Sequence, residues 1–171
     1  MSTALPDGPM SYEELSGQLA GLLDGEPDLV ANAANMAALV FHGLPALNWA
    51  GFYFLKGETL VLGPFQGRPA CLRIQLGKGV CGTAAIRREP VLVPDVEAFP
   101  GHIVCDAASR SELVVPVLRG DRLIGVLDLD SPLPGRFNEI DILGMSGLVA
   151  QFVRHHHDWP GEFSRVTAGP D

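Results

Sequence analysis

The chain has little positive charge, few cysteines and no long apolar run, and each shortage removes a class of function. Only 12 of its 171 residues are lysine or arginine, against 20 aspartates and glutamates, for a formal net charge of -8. Nucleic-acid backbones and anionic lipid headgroups demand a basic face, so neither nucleic acid nor a membrane is expected as a partner. No apolar run approaches the roughly 18 residues of a membrane span. The first ten residues lack the basic and apolar segments of a secretory signal, so a cytoplasmic protein is expected. Cysteine is limited to Cys71, Cys81 and Cys105. An odd number cannot pair completely within one chain, and in a reducing compartment thiols serve catalysis or metal binding more often than structure.

What is present reads as one folded domain, with 47% apolar and 19% charged residues. Residues 1–9 are expected to be a flexible leader, 10–153 a single domain and 154–171 a polar tail. Ser11 followed by Glu13 and Glu14 predicts a helix start, and Leu15, Leu19, Leu22 and Leu23 continue at helical spacing. A second helix is predicted over 28–41. The rhythm then shortens: strands are predicted over 49–55 and 59–62 as a hairpin, over 70–76 by alternation, and over 91–94. A short helix is predicted over 82–88, a second hairpin over 112–118 and 122–130, and a last helix after Asn138. Helices first, hairpins in the middle and a closing helix predict an α+β domain with a mainly antiparallel sheet. The run His155-His156-His157 reads as a solvated terminus.

Several motifs compete for the chemistry. Gly77-x-Gly79-x-x-Gly82 matches a dinucleotide fingerprint, but the strand before it alternates and the next strand follows too soon for a βαβ unit of about 30 residues. It is read as a turn that lets two backbones pass closely. Cys71, Cys81, His102 and Cys105 carry suitable zinc donors but lack the short knuckles of structural zinc sites, so no metal is expected. Asp128 and Asp130 stand two apart on a strand, which places both on one face roughly 6–7 Å apart. Aspartate is disfavoured in strands, so this face is either wet or a polar pocket that takes an ammonium or holds protonated carboxyls. Trp49 and Tyr53 flank Gly51 on one strand face, an arrangement that predicts a slot for a small apolar group or else a packed aromatic core.

Five segments carry a resemblance: Asn48-Trp49-Ala50-Gly51-Phe52-Tyr53, Gly63-Pro64-Phe65-Gln66-Gly67, Gly77-Lys78-Gly79-Val80-Cys81-Gly82, Phe99-Pro100-Gly101-His102 and Leu127-Asp128-Leu129-Asp130-Ser131. With the spacing Cys-x9-Cys-x23-Cys, they resemble the free methionine-(R)-sulfoxide reductases, over about residues 10–152. The resemblance implies a GAF-like α+β fold, a central mainly antiparallel sheet of about six strands flanked by N- and C-terminal helices. It implies that Cys105 attacks the sulfoxide sulfur of free methionine-(R)-sulfoxide and is left as a sulfenic acid. Cys71 is then the principal resolving thiol, Cys81 an alternative or relay thiol, and thioredoxin the reductant, fed indirectly by NADPH through thioredoxin reductase. Glu112, Asp128 and Asp130 would be the substrate-binding carboxylates, with Trp49 and Tyr53 walling the S-methyl group. The same resemblance implies no bound cofactor, a homodimer and a role in oxidative-stress repair of free methionine. A non-catalytic GAF module for ligand sensing or dimerisation is the competing expectation.

Overall fold

The computed structural model describes residues 8–103 and 106–156; most of the expected leader, Cys105 and the tail beyond His156 lie outside the described residues. Six strands form one antiparallel sheet: β1 (Trp49–Lys56), β2 (Thr59–Gly67), β3 (Arg73–Gln75), β4 (Val91–Val93), β5 (Ser111–Arg119) and β6 (Arg122–Ser131), in the order β3-β2-β1-β6-β5-β4. The two hairpins expected from the sequence are therefore joined through β1 and β6 at the centre of the sheet. Among the described residues, four α-helices accompany the sheet: α1 (Tyr12–Leu23), α2 (Leu29–Gly43), α3 (Gly79–Arg87) and α4 (Glu139–His155). None of the described helices is long and apolar enough to cross a membrane.

The helices begin where the local chemistry dictates. Ser11 accepts a hydrogen bond from the Glu14 amide, while the Glu14 carboxylate accepts from the Ser11 amide, a reciprocal cap on α1. Asp28 caps α2 through the Ala31 amide at 2.8 Å. Asn138 and Asp141 cap α4 in the same reciprocal way, and Asp141 also binds Arg136 at 3.2 Å and the Tyr12 hydroxyl at 2.7 Å. These contacts fasten the start of α4 to the start of α1.

The strand period of two divides the sheet into two different faces. Ala50, Phe52, Phe54, Leu113, Val115, Leu127 and Leu129 turn to one side, where α1, α2 and α4 cover them with Leu15, Leu19, Met36, Val40, Leu148 and Phe152. Trp49, Tyr53, Val114 and Val126 turn to the other side, where α3 lays Val80, Cys81, Ala84 and Ala85 over them. Where β1 and β6 cross, Gly125 is required: a Cβ there would lie 2.1 Å from the Tyr53 carbonyl oxygen.

Three local expectations need correction. The strand expected over 70–76 shrinks to β3, and Leu72 is 73% exposed rather than turned inward. In its place β2 extends to Gly67 along β1. Helix α3 starts at Gly79 instead of residue 82, so Cys81 lies in its first turn. The glycine motif before it is a close-packing device, since a Cβ on Gly82 would lie 2.4 Å from the Gln75 carbonyl oxygen. Finally, His155 and His156 are not a solvated terminus. The His156 Nδ1–H donates to the Phe152 carbonyl at 2.8 Å, and its Nε2 accepts from Asn32 Nδ2 at 3.1 Å. His155 Nε2–H donates to the Glu26 carbonyl at 2.8 Å, so the end of α4 is tied to the start of α2; His157 lies outside the described residues.

Phe152 is fully buried against Phe52 at a ring separation of 5.1 Å. Truncation to Ala is expected to cost ~3–5 kcal/mol in urea unfolding. Leu143→Ala, on the exposed side of the same helix, is expected to stay within about 0.5 kcal/mol of the parent.

Candidate active site

The polar site lies on the face of the sheet under α3. Antiparallel register sets Glu112 of β5 opposite Asp130 of β6, and Val114 opposite Asp128. On the other side of β6, Trp49 pairs with Asp130 and Gly51 with Asp128. Because these positions share a pleat direction, three carboxyls converge on one patch. Glu112 is 6% exposed and Asp128 is 7% exposed, so the face is not wet. They line a cavity of about 30 Å³ with Ile74, Lys78, Cys81, His102 and Ser109.

The electrostatics follow from that burial. Desolvation pushes the Glu112, Asp128 and Asp130 carboxyls well above the usual range, and each is raised further by a neighbouring carboxylate. Glu112 and Asp128 also act on each other directly, which lowers the Glu112 carboxyl and raises that of Asp128. Among the described residues, Asp128 Oδ1 is buried with no hydrogen-bond partner. Cys81 Sγ lies 4.0 Å from Glu112 Oε1, and burial, Asp128 and Glu112 push its thiol far up. A helix N-terminus usually favours a thiolate; at Cys81 desolvation and two acids outweigh it. His102 Nε2 is 3.6 Å from Glu112 Oε2. Burial lowers its pKa while it raises that of the Glu112 carboxyl, so both shifts disfavour the charged pair.

The expected aromatic slot is closed. A Cβ on Gly51 would lie 2.3 Å from Phe65 Cβ. The Trp49 ring stacks on Phe65 at 5.3 Å and on Tyr53 at 5.8 Å, which fills the space over the glycine. Phe65 arrives there because β2 runs on past the expected end at residue 62. Both Trp49 and Tyr53 are buried, and neither borders the cavity. Their polar ends hold the segment after β2: Trp49 Nε1–H donates to the Arg68 carbonyl at 3.1 Å, and the Tyr53 hydroxyl donates to the Cys71 carbonyl at 3.0 Å. Cys71 itself is disulfide-bonded, whereas Cys81 is a free thiol.

The structure brings Cys81, Glu112, Asp128 and Asp130 to one cavity, together with a supporting polar group that sequence reasoning missed. Asn48 Nδ2 donates to Asp106 Oδ2 at 3.1 Å and Ser109 Oγ at 3.0 Å, and Ser109 in turn hydrogen-bonds Asp130. The Asn48 amide also donates to the Asp130 carbonyl at 3.0 Å. Asn48 precedes an apolar strand and Asp106 and Ser109 sit in a loop, so only their polarity in sequence could have marked them.

A single antiparallel sheet with a helical layer on one face and a polar cavity under a short helix on the other defines the GAF class, and the GAF domain family matches residues 26–154. Protein YtsP of Bacillus subtilis is 54% identical over 79% of this chain and 84% of its own length. The free methionine-R-sulfoxide reductase of Escherichia coli is 50% identical over 84% of this chain and 87% of its own. The crystal structure of the free methionine-R-sulfoxide reductase of Neisseria meningitidis, in complex with its substrate, superposes with a TM-score of 0.85 at 40% identity, covering 90% of this chain and 95% of that one. The chain belongs to the free methionine-R-sulfoxide reductase family.

Carboxyls with raised folded pKa values bind protons that the unfolded chain releases, so their contribution to stability is present below about pH 4 and is lost as pH rises through the folded values. Asp128→Asn is therefore expected to raise the melting temperature at pH 7–8, with the gain over the parent shrinking toward pH 4 in calorimetry. An equal or lower melting temperature at pH 8 would contradict the charge assignment.

Proposed function

We propose that this protein reduces free methionine-(R)-sulfoxide to methionine. The observation that carries the reading is the convergence of Glu112, Asp128 and Asp130 on a cavity that also holds a thiol, in a chain half-identical to a reductase of that name. In this reading Cys105 is the nucleophile. Its sulfur attacks the sulfoxide sulfur, the oxygen then passes to the Cys105 sulfur as the transient S–S bond and the substrate S–O bond break, and methionine departs, leaving Cys105 as a sulfenic acid. Cys71 displaces that oxygen as water and a Cys71–Cys105 disulfide forms. A thioredoxin dithiol then supplies two electrons and two protons, restoring both thiols. NADPH recharges thioredoxin through its reductase, and the pathway operates in a reducing compartment as oxidative-stress repair.

The carboxyls divide two tasks. Protonated Glu112 and Asp128 hold hydrogen toward the sulfoxide oxygen, which must gain protons to leave as water. The ammonium of a free amino acid favours ionisation of one acid, and Asp130, the least enclosed of the three, takes that part. A peptide-bound methionine sulfoxide lacks this ammonium and would leave an acid unpaired, which accounts for selectivity toward the free amino acid. A cavity of about 30 Å³ has room for about one or two waters. That volume, together with a disulfide at Cys71, supports reading this state as the one reached after turnover, when substrate has gone. Trp49 and Tyr53 act here by holding the Cys71 segment, and they reach an S-methyl group only once the walls have moved.

With thioredoxin, thioredoxin reductase and NADPH, the protein is expected to consume NADPH on free methionine-(R)-sulfoxide. Activity confined to the S epimer, or none, would overturn the reading. Cys105→Ser is expected to abolish turnover, while Cys71→Ser keeps a single-turnover burst of methionine and loses recycling. Asp128→Asn is expected to lower kcat/KM by about 10²–10⁴-fold, the usual worth of a positioned proton donor.

A further inference from the structure

Cys81, Glu112 and Asp128 offer one sulfur and two carboxylate oxygens that all lie within 4.8 Å of one another. An ion held tetrahedrally at about 2.3 Å from sulfur and about 2.0–2.2 Å from oxygen keeps its donors roughly 3.3–3.6 Å apart. The 4.0 Å from Cys81 Sγ to Glu112 Oε1 lies a few tenths of an ångström beyond that spacing, and with all donors within 4.8 Å of one another the side chains close in around the ion on binding. A second observation points to the same spot: Asp128 Oδ1 is buried against the cavity with no hydrogen-bond partner among the described residues. The cavity is the size of a cation with its water. His102 contacts the other oxygen of Glu112 at 3.6 Å, as an outer partner of a metal-bound carboxylate does.

We propose that Cys81, Glu112 and Asp128 form a binding site for a thiophilic divalent cation of the zinc class, with the remaining coordination position open to water, and that its occupancy blocks the substrate cavity. These donors differ from the set considered from sequence, because Cys71 is disulfide-bonded and Cys81 is grouped instead with two acids. Binding exchanges the Cys81 thiol proton and the protons held by the Glu112 and Asp128 carboxyls for metal–ligand bonds and releases them to solvent, with no change of oxidation state. The sulfur sets the selectivity, since magnesium and calcium prefer oxygen alone. The binding site stands without the reductase reading; the blocking effect rests on it.

The test is a Co²⁺ titration of the metal-free Cys71→Ser/Cys105→Ser protein, in which Cys81 is the one thiol. A sulfur-to-cobalt charge-transfer band is expected to saturate at one ion per chain, to be displaced by Zn²⁺ and to persist in excess Mg²⁺. Asp128→Asn is expected to weaken binding, and His102→Ala to weaken it on the order of 10–100-fold. No saturable band, or a band indifferent to both substitutions, overturns the site. Should the double variant fail to fold, untreated protein, with Cys71 in a disulfide and Cys81 free, carries the same titration. Free methionine-(R)-sulfoxide is expected to compete with Co²⁺; unchanged occupancy in a preparation with proven reductase activity overturns the blocking clause. A protein that binds Co²⁺ yet lacks reductase activity keeps the site and refutes only the proposed function.

Discussion

Three carboxyls and a thiol are buried together on one face of the sheet, and the rest of the structure is arranged around that constraint. Groups of this kind are costly to remove from water unless they shed their charge or find partners. Here desolvation and mutual repulsion raise Glu112, Asp128 and Asp130 together, which favours their protonated forms. The basic side chain against Glu112 is His102, itself pushed toward neutrality by burial. The site thus gathers groups that favour holding protons around a small polar cavity, which suits the removal of an oxygen as water.

The opposite face supplies the stability that such a patch consumes. Phe52, Phe54, Leu127 and Leu129 pack against three helices in that layer. Reciprocal caps and the contacts among Tyr12, Asp141 and Arg136 lock those helices to one another. Strand β6 carries both jobs at once, its leucines serving the core and its aspartates the cavity. A slip of one residue would exchange the two sets, so the core enforces the geometry of the site. Trp49 and Tyr53 extend this enforcement to the segment after β2, binding the carbonyls of Arg68 and Cys71.

Much of this was legible from residues alone. The cap at Ser11, the two hairpins and the shared face of Asp128 and Asp130 follow from local rules that act within a few residues. What sequence could not show depends on long-range packing. Leu72 alternates like a core residue yet stays exposed, because β2 rather than residues 70–72 takes the edge of β1. Gly51 promised a slot, but Phe65 from the neighbouring strand fills it. His156 looked like tail until the start of α2 provided Asn32 as its partner. The network of Asn48, Asp106 and Ser109 joins residues about sixty positions apart, and no periodicity announces such a contact.

The central claim is that the carboxyl patch carries protons at neutral pH. Infrared difference spectroscopy of the parent protein against Asp128→Asn reads this directly through the carbonyl stretch of an un-ionised carboxylic acid. The account predicts such a band at pH 7 in the parent, shifted in deuterated solvent and diminished by the substitution. A parent spectrum in which Glu112, Asp128 and Asp130 contribute carboxylate stretches alone at pH 7 would contradict it.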